Sequence, residues 1–260
     1  ASDNQFVDSV SVPPSVVPSA IVITNNNMYG YVCNFLALSS NSKIHKYNLS
    51  TMQHVDSMLA GAMTHDVKIT FDGSVIVACN RKSDDVTLIY TDADTVTFIP
   101  MDTNNIRPNP TVYEPFGVII DSNDSLAYIA CVKARQVRVL DIAARKIVDS
   151  VDIPVGVSSP LAGPTLLAIS PNNEVVFVTT QIGNSVVAFN TSTGNILADI
   201  PFSTPSPFGI CMSDDGSRVY VACIGLTDGN GRVYVIDGAT YAKVDSIDVG
   251  ELSYGLVWQK

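Results

Sequence analysis

Apolar residues in this chain come in short runs that alternate with polar ones or continue unbroken, each cut off by Gly, Asp, Asn or Pro. In the best-defined stretch the runs are Gly209–Met212, Arg218–Cys223, Arg232–Ile236 and Lys243–Val249. Asp215-Gly216, the glycine-rich Asp228–Gly231 and Gly238 separate them. β-Branched and aromatic residues fill the runs and no 3.6-residue period persists, so the pattern predicts strands and no helices.

The four-run block recurs. Copies begin at Pro18, Thr64, Pro115, Pro164 and Pro207, at intervals of 46, 51, 49 and 43 residues, and 46 more lead to Ser253. Four strands per repeat of this length, set around a ring, predict an all-β fold, a β-propeller of four-stranded blades. A β-sandwich also spaces its strands regularly, but gives no reason for every fourth strand to share a motif. The expectation is one propeller domain over residues 1–260.

The wording of the block runs Pro-x-Gly-apolar, then Ser/Asp-Asp/Asn-Gly, then "VYVA", then "VYVID". It resembles the YVTN-type propeller repeat over essentially the whole chain, most sharply from Pro115 onward. The second copy departs with Thr64-His65-Asp66, and the first, Pro18-Ser19-Ala20, lacks the glycine. The resemblance implies a scaffold and a secreted or cell-surface setting, and no particular reaction.

Strands A to D are counted from the central channel outward. Val7-Asp8-Ser9-Val10 matches the D-strand segments Val55-Asp56-Ser57-Met58, Val148-Asp149-Ser150-Val151 and Val244-Asp245-Ser246-Ile247. Ser253-Tyr254-Gly255-Leu256-Val257-Trp258 matches an A strand. The order is therefore an unmatched outer strand, five complete repeats and an unmatched inner strand, which suits five or six blades. Both closures leave backbone groups unpaired, and such edges are where chains join. The expectation is exchange of Val7–Val10 and Tyr254–Trp258 between copies, giving chains or filaments. The plainer alternative is that each terminal segment packs on its own domain.

Composition narrows the partners. Lys plus Arg total 15 against 25 Asp plus Glu, a formal net charge of -10, which repels phosphate backbones and argues against nucleic acid. No apolar run approaches the ~20 residues of a transmembrane helix. The start at Ala1-Ser2-Asp3 fits a chain from which a leader has been removed. Three glycosylation sequons, at Asn48, Asn123 and Asn190, fall in predicted turns. Together these point to an extracellular or cell-surface protein, with itself or another surface component as partner. Four of the five cysteines, Cys33, Cys79, Cys131 and Cys223, recur at nearly one place per repeat and read as buried core residues.

Candidate chemistry is sparse. The middle residue of each Pro-x-Gly position belongs near the channel mouth, which places His65, Phe116, Phe208 and Tyr254 there beside Ser19 and Thr165. Such a set suits a stacked small ligand, or simply plugs the channel. The three histidines, His45, His54 and His65, fall on different strands and predict no metal centre. No nucleophile, phosphate-loop or zinc motif is present. Acidic turns at Asp84-Asp85, Asp214-Asp215 and Asp228–Gly231 would suit calcium, the one cofactor the sequence brings to mind. Met101–Glu114 and Val155–Gly163 lengthen two D-to-A junctions, which share one face of the disc. The leading reading is a non-enzymatic interaction protein. The alternatives are a lactonase- or lyase-like propeller enzyme, or a small-ligand or glycan module, with the site at the channel mouth.

Overall fold

The computed structural model describes residues 9–12, 16–35, 42–102, 112–159, 161–202, 206–225, 231–250 and 253–256. Those residues form five antiparallel four-stranded sheets in sequence order, with no helix. The first is β1 (Pro18–Ile23), β2 (Tyr29–Asn34), β3 (Ser42–Asn48) and β4 (Gln53–Ala60). The second is β5 (Thr64–Ile69), β6 (Val75–Asn80), β7 (Asp85–Tyr90) and β8 (Thr95–Pro100). The third is β9 (Pro115–Ile120), β10 (Leu126–Cys131), β11 (Gln136–Asp141) and β12 (Lys146–Asp152). The fourth is β13 (Leu167–Ile169), β14 (Val175–Thr180), β15 (Ser185–Asn190) and β16 (Ile196–Pro201). The fifth is β17 (Pro207–Met212), β18 (Arg218–Cys223), β19 (Gly231–Asp237) and β20 (Lys243–Val249). The first strands of successive sheets neighbour one another and the fourth strands lie outermost, which is the arrangement of propeller blades.

One turn joins A to B in every blade, and its chemistry explains the recurring Ser/Asp-Asp/Asn-Gly wording. Its first residue is Thr24, Thr70, Asp121, Ser170 or Ser213. Each side-chain oxygen accepts the N–H five residues on, at 2.9–3.1 Å. Its fourth residue is Asn27, Gly73, Asp124, Asn173 or Gly216, each with φ between 56° and 78°. Gly, Asn and Asp tolerate that left-handed conformation best. The same turns stitch neighbouring blades: the Asp124 carboxylate accepts the N–H groups of Phe71 (2.6 Å) and Asp72 (2.9 Å), and Asn173 accepts the N–H of Ser122 (3.0 Å).

The opposite rim is tied differently. Asp84, in the second blade's B–C turn, is fully buried and accepts the backbone N–H groups of Val112, Tyr113 and Glu114 as the chain enters β9. Asn184 accepts the N–H of Ser206 at 2.9 Å at the entry to β17. Arg135 donates to the Ser159 carbonyl at 3.1 Å, so the Val155–Gly163 insertion sits on this rim. Of Met101–Glu114, residues 103–111 lie outside the described residues.

The core is a set of apolar layers between blades. Four clusters fill the junctions between the first and second, second and third, third and fourth, and fourth and fifth blades. All five cysteines are free thiols, and Cys33, Cys79, Cys131 and Cys223 are buried. They do not share one environment. Cys33 and Cys79 occupy the fifth position of their B strands and Cys131 and Cys223 the sixth, so the period of two turns the pairs to opposite faces.

Candidate functional site

Equivalent positions reveal where the ring is open. On the A strand, one apolar position faces the preceding blade: Val67, Val118, Leu167 and Ile210 are 1–8% exposed there. Its equivalent in the first blade, Ile21, is 56% exposed. On the D strand, one position faces the following blade: Met58, Ile99, Val151 and Ile200 are 4–7% exposed. In the fifth blade the same position is Ile247, at 53%. Both exceptions face the same place, between the fifth and first blades. Among the described residues no apolar cluster joins those two sheets. This opening is the seam.

One element of a further blade stands in the seam. Ser253 donates its hydroxyl to the Cys223 carbonyl at 3.2 Å. A Cβ on Gly209 would meet the Tyr254 carbonyl oxygen, as one on Gly117 would meet that of Thr165 in the next blade. Tyr254 therefore occupies the slot of a sixth inner strand, and residues 253–256 lie against their own fifth blade. A Gly209→Ala substitution is expected to push this segment off, at a cost of about 1–3 kcal/mol. Faster amide exchange at Tyr254 and Gly255 in the variant would report it. Val10 and Val12 line an apolar groove with Ile21, Val32, Tyr47 and Met52 on the first blade's seam side. Val7, Asp8, Val257 and Trp258 lie outside the described residues.

The four residues placed at the channel mouth do meet. Ring centroids run Phe35–His65 at 5.2 Å, His65–Phe116 at 3.5 Å, Phe116–Phe208 at 5.8 Å and Phe208–Tyr254 at 5.4 Å. Arg81 lies 5.5 Å from the Phe116 ring and pairs with Glu114 at 2.9 Å. Burial pushes the pKa of His65 down to about 4, helped by Arg81 and opposed by Asp66. Its Nδ1 is buried with no hydrogen-bond partner. Beyond this row the channel widens into a cavity of ≈ 570 Å³, walled by residues such as Ile69, Ile119, Leu167 and Ile210. Asp66 and Lys68 form a 3.4 Å ion pair on its wall.

The remaining candidates fall elsewhere. Asn48 and Asn190 are the last residues of β3 and β15, at the C–D turns, and Asn123 lies in an A–B turn, so all three sequons share the face opposite the aromatic row. Asp84 caps backbone as described. Asp215 accepts from Ser213 and Ser217 within its own turn, which lowers its pKa to about 2. Of the Asp228–Gly231 loop only Gly231 is described. Among the described residues no group of three or more His, Cys, Asp or Glu side chains is placed to hold a metal. No helix is long and apolar enough to cross a membrane.

His45 and His54, which the sequence sets nine positions apart on different strands, are side by side. The cause is a β-bulge. His45 pairs with Ser57 and Tyr47 with His54, so Val55 is skipped. The third, fourth and fifth blades skip Val148, Leu197 and Val244 at the same place. The skipped residues are 42–52% exposed, which accounts for the apolar residue that opens each Val-Asp-Ser motif. Alternation alone would set His54 and Ser57 on opposite faces; the extra residue returns them to one. That signal is readable in the repeats once their register is known.

The class defined here is a β-propeller with a seam between its last and first blades. Two solved propellers share the fold. Kuenenia stuttgartiensis hydrazine synthase superposes with a TM-score of 0.70 at 16% identity, over 90% of this chain and 66% of its own. The Myceliophteria thermophila Cps50 (Swd1) β-propeller domain does so with 0.68 at 10%, over 88% and 72%. This chain thus spans just under two thirds of the first structure's length, and at these identities the likeness is one of fold alone. No family model matches the chain, and no curated protein does.

Proposed function

We propose that this chain is a non-enzymatic structural propeller of the cell exterior, and that its seam joins it to a second copy. The observation that carries the proposal is the paired exposure of Ile21 and Ile247, at positions buried in every other blade. Two sheet faces built to be covered stand open beside an inner segment that has no middle strands beside it among the described residues. Covering an aliphatic side chain of that size contributes about 1.5–3 kcal/mol. The partner is a second copy because the chain itself carries a spare outer-strand sequence, Val7–Val10, of the kind such a gap lacks. Strand addition of this type uses main-chain hydrogen bonds for affinity and alternate side chains for register. The YVTN-type wording and the three sequons support the exterior setting, and the acidic charge supports a protein or surface partner over nucleic acid.

The proposal separates cleanly in two variants. Ile247→Asp is expected to leave the stability of the single chain within about 0.5 kcal/mol, as exposed substitutions do, and to abolish assembly. Ile200→Asp, at the equivalent buried position, is expected to cost the single chain about 3 kcal/mol or more. Sedimentation velocity reads the assembly and thermal melting reads the stability. Assembly that persists unchanged in Ile247→Asp would remove the seam from the joint.

A second reading has its own support. The continuous aromatic row, with the orphaned Nδ1 of His65 inside it, suits an aromatic or sugar-like ligand stacked at the channel mouth. A lactonase- or lyase-like activity would have to draw on His65 in that row or on the Arg81–Glu114 pair beside it.

A further inference from the structure

The first blade's seam face carries three donor atoms in one small triangle. His45 Nδ1 and His54 Nε2 are 3.4 Å apart. Ser57 Oγ is 2.9 Å from the His54 nitrogen and 3.0 Å from the His45 nitrogen. No other blade repeats the set: the positions of His45, His54 and Ser57 hold Arg138, Ile147 and Ser150 in the third blade, and Tyr234, Lys243 and Ser246 in the fifth. From the structure we infer that this triangle is a binding site for a divalent transition metal, zinc-like in its preference for imidazole, with its remaining positions open toward the seam.

The geometry carries the argument. In tetrahedral coordination, two imidazole nitrogens bound at about 2.0–2.1 Å stand roughly 3.4 Å apart. An ion about 1 Å above the plane of the three atoms would lie at that bond length from all of them. The bulge at Val55 fixes this convergence in the backbone, because it sets His54 and Ser57 on the face that His45 already occupies. Packing holds the ligands. His45 is buried, and Tyr47 meets the His54 ring edge-on at 5.3 Å. His54 is exposed and gives an ion its way in. Imidazole pairs of this kind favour copper, nickel and zinc over magnesium or calcium.

This site does not depend on the proposed assembly, since both histidines and the serine belong to one chain. Without an ion the three atoms stand within hydrogen-bonding distance of one another, and a titration distinguishes the two states. Zinc is titrated calorimetrically into the purified protein, and cobalt is followed by its visible absorption, which reports the ligands directly. One ion per chain is expected, with binding at least about tenfold weaker in His54→Ala and about two- to threefold weaker in Ser57→Ala. His54 is exposed, so its variant is expected to melt as the parent does. Absence of zinc binding in the parent, or binding of equal strength in parent and His54→Ala, would overturn the inference.

Discussion

Replacing Asp84 by alanine is expected to destabilise the fold by about 2–4 kcal/mol, because three backbone N–H donors at the rim lose one buried acceptor. The donors are the backbone groups of Val112, Tyr113 and Glu114, and the Asp84 side chain is fully buried among them. A second, smaller part of the cost is local. Asp84 has φ 54°, which aspartate tolerates and alanine does not, by about 1 kcal/mol. Asp84→Gly removes the acceptor without that backbone cost, so the difference between the two variants isolates it. Chemical denaturation of both variants checks the sum and its division. Equal stability of parent and Asp84→Gly would mean that the cap does not hold the chain as it returns to the third blade. The consequence reaches beyond stability, because this cap anchors one end of the Met101–Glu114 insertion on the rim that also carries Ser159.

The second large effect is on pH dependence. His65 has a pKa of about 4 in the fold against 6.5 when free, chiefly because burial disfavours the imidazolium. A lowered histidine pKa means that the unfolded chain binds the proton first as pH falls. Stability is therefore complete above pH 6.5 and declines between 6.5 and 4, by about 2.5 kcal/mol at pH 4.5. His65→Phe, the residue that two other repeats place at this position, removes the titrating group and keeps a ring between Phe35 and Phe116. The variant is expected to gain on the parent by that amount between pH 7 and 4.5. Parallel melting curves at the two pH values would show that His65 is not buried as the structure has it. Asp72, Asp215 and Asp237 have pKa values held below the usual carboxylate range by turn hydrogen bonds, so their contribution falls away below this window.

The repeat was legible in the sequence because each strand is short and each break carries turn chemistry. Arg218–Cys223 and Lys243–Val249 match β18 and β20 end for end, and Gly209–Met212 falls short of β17 by two residues. The meeting of His65, Phe116, Phe208 and Tyr254 was legible too, since one motif position maps to one place around the axis. Period-two reasoning fails at the D strand. A bulge adds a residue without changing the wording, so the sharing of one face by His54 and Ser57 appears only in the register. The cysteines mislead for a related reason, since a displacement of one residue looks trivial in sequence and reverses the face. Strand counting leads to the expectation of unpaired edges at the termini, where residues 1–8 and 257–260 lie outside the described residues. It could not show that the larger consequence lies on the sheet faces, where Ile21 and Ile247 are uncovered, because exposure depends on a neighbour that no local pattern encodes.

The central claim is that the seam is a joint between copies, and the mass of the native particle tests it most directly. Light scattering over a range of concentrations, followed by negative-stain imaging, is the measurement. Particles that grow with concentration into chains or rings are the predicted result. A particle that keeps the mass of one chain at the highest concentrations would contradict the claim and leave the aromatic row as the place where this protein acts.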